Sequence, residues 1–210
     1  MIDSKNVLIL APHTDDGEFG CGATIAKLKR SGANVTYVAF SSAMESVPSG
    51  FDPHVLKKEV FLATQTLGID KDDVILCDFK VRFFPRDRQE ILEKMVEINN
   101  KLKPDLVFMP SIDDTHQDHL TIAQEGFRAF KKSTILGYEV PWNNRKFPTT
   151  CFVKVTEQDL QLKIKSLECY ESQKARSYAN EAFIKSLALV RGTQAGNELS
   201  ETFDVVRLML

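Results

Sequence analysis

The run VLILAPHTDDGEFGCGATIAKLKRSG, Val7–Gly32, decides the fold. Its first five residues, Val7–Ala11, are aliphatic without polar alternation, the mark of a strand buried on both faces. Polar residues follow at once. From Glu18 to Ser31 the apolar residues return at helical spacing, and Gly32 closes the segment. A buried strand running straight into an amphipathic helix is the unit of a parallel sheet, because parallel neighbours must be joined by a crossover. The unit recurs along the chain. Asn34–Phe40 predicts a strand, and His54–Leu67 a helix with Gly68 at its end. Val74–Cys77 is a strand, and Arg88–Leu102 a helix stopped near Pro104. Asp105–Met109 is a strand, and Asp118–Lys131 a helix. Ile135–Tyr138 and Phe152–Val155 are further strands, Thr156 with Asp159 opens a helix as a capping box, and Glu181–Val190 is a helix. FDVVRLML, Phe203–Leu210, reads as a closing strand. The expectation is one α/β domain over residues 1–210, built on a mostly parallel central sheet.

The bulk properties narrow the function. A chain of 210 residues can bury a sizeable core, and a net charge of -2 offers no electrostatic case for nucleic acid. Cys21, Cys77, Cys151 and Cys169 are widely spaced, with no CxxC pair, which suits reduced thiols in the cytoplasm. MIDSKNVLILAPHTDD lacks the plan of a secretory leader, and no stretch reaches the length of a membrane span. The sequence leaves the oligomeric state open, a homo-oligomer included.

Ligands of parallel α/β sheets bind beyond the carboxyl ends of the strands. Two polar clusters stand there. Pro12-His13-Thr14-Asp15-Asp16-Gly17-Glu18 follows the first strand, and Asp113-Asp114-Thr115-His116-Gln117-Asp118-His119 follows the fourth. A hydrolytic zinc site needs three protein ligands and one open position. His13 and Asp16, three residues apart, can face one point, and His119 can supply the third ligand from the other loop. Asp15 is then a spare carboxylate to take a proton from water. His116 is a spare imidazole to stabilise an oxyanion or protonate a leaving amine, and Asp118 can hold His116 as its charge partner. The donor set suits zinc, and also ferrous iron or another divalent cation. Glu18, at a helix start, reads as a structural carboxylate bonded to backbone amides. His54 lacks an acidic partner beyond Asp52, and no cysteine or serine stands in a nucleophile frame, so covalent catalysis is not expected.

These motifs resemble the PIG-L/LmbE-like family of zinc-dependent N-acetylglucosaminyl deacetylases. PHTDDGE resembles its PHPDDxE signature and THQDH its HPDH signature. KSLECYESQ and RGTQAGNELSETFDVVR resemble its later elements, so the likeness runs from Val7 to about Arg207. The resemblance implies a Rossmann-like three-layer fold and removal of an N-acetyl group from an amino sugar or a GlcNAc-type conjugate. It assigns His13, Asp16 and His119 as metal ligands, Asp15 as general base, His116 as oxyanion stabiliser or acid, and Asp118 as its partner. Thr14 and Gln117 stand where the signatures carry proline. Leu56 stands where several relatives carry an arginine that contacts sugar hydroxyls. Arg82 and Arg86 are the candidates to replace that arginine, and Trp142 is a candidate sugar-facing aromatic. The missing arginine keeps open a metal-dependent hydrolase of a different amide or ester; a third reading is a non-catalytic module that binds a sugar or nucleotide, against which the spare base Asp15 argues.

Overall fold

Alternation within each strand sorts the core into two layers. In the first strand, β1 (Asn6–Ala11), Val7, Ile9 and Ala11 face one apolar cluster while Leu8 and Leu10 face another. The computed structural model describes residues 5–209. The reading of the extreme N-terminus and the last residue of the expected closing strand, Leu210, lie outside them. After β1 come α1 (Asp16–Arg30), β2 (Asn34–Ala39), α2 (Val55–Thr66), β3 (Val74–Leu76), α3 (Arg88–Leu102), β4 (Leu106–Pro110) and α4 (Gln117–Ala129). They are followed by β5 (Thr134–Tyr138), β6 (Cys151–Lys154), α5 (Glu157–Glu168), α6 (Glu181–Gln194) and β7 (Ser200–Arg207).

The seven strands lie in the order β3-β2-β1-β4-β5-β7-β6. β1 to β5 are mutually parallel, and β7 runs antiparallel between β5 and β6. Residues of α1, α2, α5 and α6 pack into the cluster on one face of the sheet, and those of α3 and α4 into the cluster on the other. The result is the α/β domain with a mostly parallel sheet expected from the alternation, in the three layers that the family resemblance implied.

This strand order puts a topological switch point beside β1. The chain winds outward from β1 through β2 to β3, then returns to pair β4 against the other edge of β1, with Val7 opposite Leu106 and Ile9 opposite Phe108. The loops leaving β1 and β4 therefore diverge onto opposite faces and leave a crevice between them. Both polar clusters flank that crevice, each starting in a loop and ending in the first turn of the helix that follows, α1 or α4.

β7 starts three residues earlier than the apolar pattern suggested, at Ser200. Ser200, Glu201 and Thr202 are polar yet buried, so hydropathy concealed them.

Candidate active site

The loop after β1 turns directly into α1. Two glycines let the first turn of that helix press onto the sheet. A Cβ on Gly17 would come within 2.5 Å of the Tyr37 ring, and one on Gly20 would overlap the Tyr138 ring. The hydroxyls of Tyr37 and Tyr170 lie 2.9 and 2.6 Å from the carbonyl oxygen of Thr14, and both also meet the Glu18 carboxyl. Glu18 is thus held by two phenols in addition to the backbone amide expected from its helix-start position. Burial pushes its pKa up to about 8, although both tyrosine hydroxyls oppose the shift. Its place fixes the backbone one residue before the aspartate pair.

Asp15 is the N-cap residue of α1 by position but makes no capping hydrogen bond. Adjacent aspartates before a helix often serve only as caps. Here the carboxylate caps nothing, is nine-tenths or more buried, and lines the cleft. Burial raises its pKa and the Asp16 charge adds to the rise, while Arg176, at 3.6 Å, opposes it.

Asp16 points inward between two imidazoles. Its Oδ2 lies 3.0 Å from His13 Nδ1 and 3.2 Å from His119 Nε2, and accepts the His13 backbone N–H at 2.8 Å. The far nitrogen of each imidazole is also occupied. Asp118 Oδ2 lies 3.1 Å from His13 Nε2, and Asp114 Oδ2 lies 2.8 Å from His119 Nδ1. Each imidazole thus stands between two carboxylates, Asp16 on one nitrogen and Asp118 or Asp114 on the other.

Asp118 therefore does not hold the His116 ring, as the sequence suggested. Its carboxylate is taken up by His13, by the Arg82 backbone N–H at 2.6 Å and by the Phe84 N–H at 3.3 Å. The reason is helical geometry: His116 is the N-cap of α4, so its ring accepts from the Asp118 backbone N–H at 3.2 Å while the Asp118 side chain leaves on another bearing. With Nδ1 accepting, His116 presents Nε2–H to the cleft. Burial lowers its pKa, and the neighbouring His119 and His13 lower it further.

The donor set fits a divalent cation. Donors around a tetrahedral zinc at ~2.0 Å are spaced by about 3.3 Å, close to the separations of Asp16 from its two imidazoles. Asp15, Asp16, Asp114 and Asp118 gather in one buried region, with Arg176 and Arg82 beside it at the cleft. Burial lowers the pKa of His119, but Asp16 and Asp114 outweigh it and hold it up at about 10. The same negative field favours a dication. One atom each of His13, His116 and His119 also lie within 4.8 Å of one another. Both Asp16 and His116 thus stand within reach of His13 and His119, Asp16 through a carboxylate oxygen and His116 through a ring whose Nδ1 caps α4.

The cleft encloses about 420 Å³ above these residues. One wall is aromatic: Trp142 stacks on Tyr178 with centroids 3.7 Å apart, and Phe19 meets Trp142 edge-on at 5.1 Å. Thr115 Oγ1 donates to the Asn143 carbonyl, which ties the β4 loop to the segment carrying Trp142. Arg82, Trp142 and Leu56 line the cleft. Arg86 does not. It pairs with Asp87 at 2.6 Å and lies over Phe83, exposed to solvent.

Sequence reading missed Asp114, Gln173, Arg176 and Tyr178. Asp114 was visible inside the second cluster, two residues before a histidine. The other three follow Tyr170 in an irregular segment with no periodic signal. A second unforeseen feature lies beneath the wall. α1 breaks its helical path at Cys21, φ -148. Lys163 Nζ, buried, donates to the freed Phe19 carbonyl at 2.6 Å, and Glu201 accepts from the Ala23 and Thr24 N–H groups at 3.2 and 2.6 Å. Lys163 and Glu201 pair with each other at 2.7 Å.

The profile of the family described as PIG-L: GlcNAc-PI de-N-acetylase matches residues 8–130, which contain both polar clusters. The chain is 28% identical to the uncharacterized deacetylase YaiS of Escherichia coli over 174 residues, 80% of this chain and 91% of that protein. It is 25% identical to the diacetylchitobiose deacetylase of Thermococcus kodakarensis over 223 residues, 95% of this chain and 82% of that protein. In fold it resembles the N,N'-diacetylchitobiose deacetylase of Pyrococcus horikoshii, with TM-score 0.79 and 24% identity, over 96% of this chain and 84% of the other.

Proposed function

We propose, because this chain belongs to the PIG-L family of GlcNAc-PI de-N-acetylases, that it hydrolyses the acetamide of an N-acetylated amino sugar or sugar conjugate, releasing acetate and the free amine. The observation that carries the reading is the position of Asp16, 3.0 and 3.2 Å from two imidazoles whose far nitrogens meet Asp118 and Asp114, with Asp15 beside it at the cleft.

His13 Nδ1, Asp16 Oδ2 and His119 Nε2 would hold the metal, and the donor set favours zinc. When bound, such a cation acts as a Lewis acid and lowers the pKa of water toward ~7. Asp15 takes a proton from the attacking water on its free carboxylate oxygen. His116 directs Nε2–H at the oxygen of the tetrahedral intermediate, where a prepositioned donor acts without reorganisation. The proton gained by Asp15 then passes to the amide nitrogen, and the carbon–nitrogen bond breaks with the amine as leaving group. Trp142 and Tyr178 offer an apolar wall for a sugar face. The four free thiols support a reducing, cytoplasmic setting.

The test is acetate release by zinc-loaded protein across N-acetylglucosamine, diacetylchitobiose and nucleotide- or lipid-linked N-acetylglucosamine, with iron-loaded protein in parallel. Turnover of at least one N-acetyl sugar supports the reading. Turnover confined to esters or to non-acetyl amides overturns it.

A further inference from the structure

Arg82 occupies a backbone conformation that arginine rarely enters, with φ 71. Hydrogen bonds on both sides of the residue impose it. Its N–H donates to Asp118 Oδ2 at 2.6 Å, and its carbonyl accepts from Gln117 Nε2 at 2.6 Å. Glycine would meet this backbone demand without strain, so the arginine has to be explained by its side chain. That side chain lines the catalytic cleft and reaches Ser46 Oγ at 3.2 Å. Among the described residues no carboxylate pairs with it, whereas Arg176 has Asp15 and Arg86 has Asp87.

Gln117 is the first residue of α4, at the position where the related signature carries proline. Proline starts helices well, so the helix itself gives no reason for glutamine. The amide supplies the donor that proline lacks, and its partner is the Arg82 carbonyl.

We infer that Gln117 and Arg82 form a specificity device, in which Gln117 locks the Arg82 backbone so that the guanidinium stands over the cleft to receive an oxyanion, phosphate or carboxylate, carried by the amino-sugar substrate. Gln117 is the positioning residue and Arg82 the contact. Guanidinium binds either oxyanion through paired, charge-assisted hydrogen bonds. The proposal rests on the N-deacetylase reading for the sugar but not for the anion.

The experiment compares kcat and KM of the zinc-loaded enzyme on N-acetylglucosamine, N-acetylglucosamine 1-phosphate and N-acetylmuramic acid. The wild type should favour one charged sugar over the neutral one by about tenfold or more, the range of a single charge-assisted contact. The phosphate and carboxylate arms identify which oxyanion is read. Arg82→Met and Gln117→Pro should each reduce that preference by about tenfold, through KM rather than kcat, and Arg82→Lys should restore part of it. Direct binding of glucose 1-phosphate and of glucuronate separates the two readings. Binding of either that weakens in Arg82→Met, with no deacetylation of any sugar, removes the deacetylase and keeps the anion site. Equal use of all three sugars by the wild type overturns the anion site and keeps the deacetylase. So do variants that change neutral and charged sugars in the same proportion.

Discussion

Asp15 and Asp16 are neighbours in sequence with opposite fates. Asp16 is drawn between two imidazoles, and their charges outweigh burial to hold its carboxyl well below the usual carboxylate range. Asp15 caps nothing and keeps an oxygen for proton transfer. Asp15→Asn should therefore keep its metal yet lower kcat by about 10²-fold or more, as expected for loss of a general base. Acetate release and metal analysis on one preparation check this, and undiminished turnover would assign the base elsewhere. Asp114 meets His119 Nδ1 at 2.8 Å, on the far side of the ring from Asp16. Asp114→Ala should weaken metal binding by roughly 10- to 100-fold without removing a donor. A competitive chelator titration reads that loss, and an unchanged affinity would leave Asp114 as a loop residue only. That His13, Asp16 and His119 belong to one cluster was legible in the sequence, because few side chains can hold a cation and these stand just past strand ends. The partner of Asp118 was not, because two side chains two residues apart at a helix start leave on different bearings.

α1 and α5 are joined by devices that hydropathy does not report. The kink at Cys21 frees a carbonyl and two N–H groups, and the buried Lys163–Glu201 pair satisfies them. Lys163→Met leaves Glu201 buried without its cation, so stability should fall by about 3–5 kcal/mol. Denaturant midpoints measure it, and the double variant Lys163→Met/Glu201→Gln should recover part of the loss. A single variant as stable as the wild type would show the pair to be incidental. At the start of α5, Thr156 and Asp159 form a reciprocal capping box, and Arg30 of α1 grips Asp159 at 2.8 Å. Burial raises the Asp159 pKa, but its bonds to Thr156 and Arg30 outweigh this and hold it below the usual carboxylate range. A carboxyl whose pKa is depressed by folding contributes stability above its unfolded pKa and loses it as the pH falls through the folded value. Asp159→Ala should thus cost about 1 kcal/mol at neutral pH, with the gap to wild type closing in acid. A gap that stays constant down to strongly acidic pH would contradict the assignment. The capping box could be read from Thr156 and Asp159 alone. Its tie to Arg30 could not, because the partner lies 129 residues away.

At the scale of the molecule, the proposed site couples two halves of the sheet. Its donors come from the loops after β1 and β4, adjacent strands separated by nearly a hundred residues of chain. A cation held across that crevice binds the native state alone. Zinc at about 100 times its Kd should therefore stabilise the chelator-treated protein by about 2.7 kcal/mol, seen as a rise in Tm. His119→Ala should not respond, and equal responses from both proteins would place the zinc elsewhere. Val7–Ala11 followed by PHTDDGE was enough to specify a parallel α/β unit with acid and imidazole groups at its functional end, because aliphatic runs and ligand chemistry are local properties. Tertiary structure alone decided which carboxylate turns each imidazole, that Arg86 faces away while Arg176 and Tyr178 close over the site, and that Gln117 clamps Arg82. Those outcomes depend on directions in space between residues remote in sequence. A linear pattern carries the kinds of groups present but not the angles at which folding brings them together.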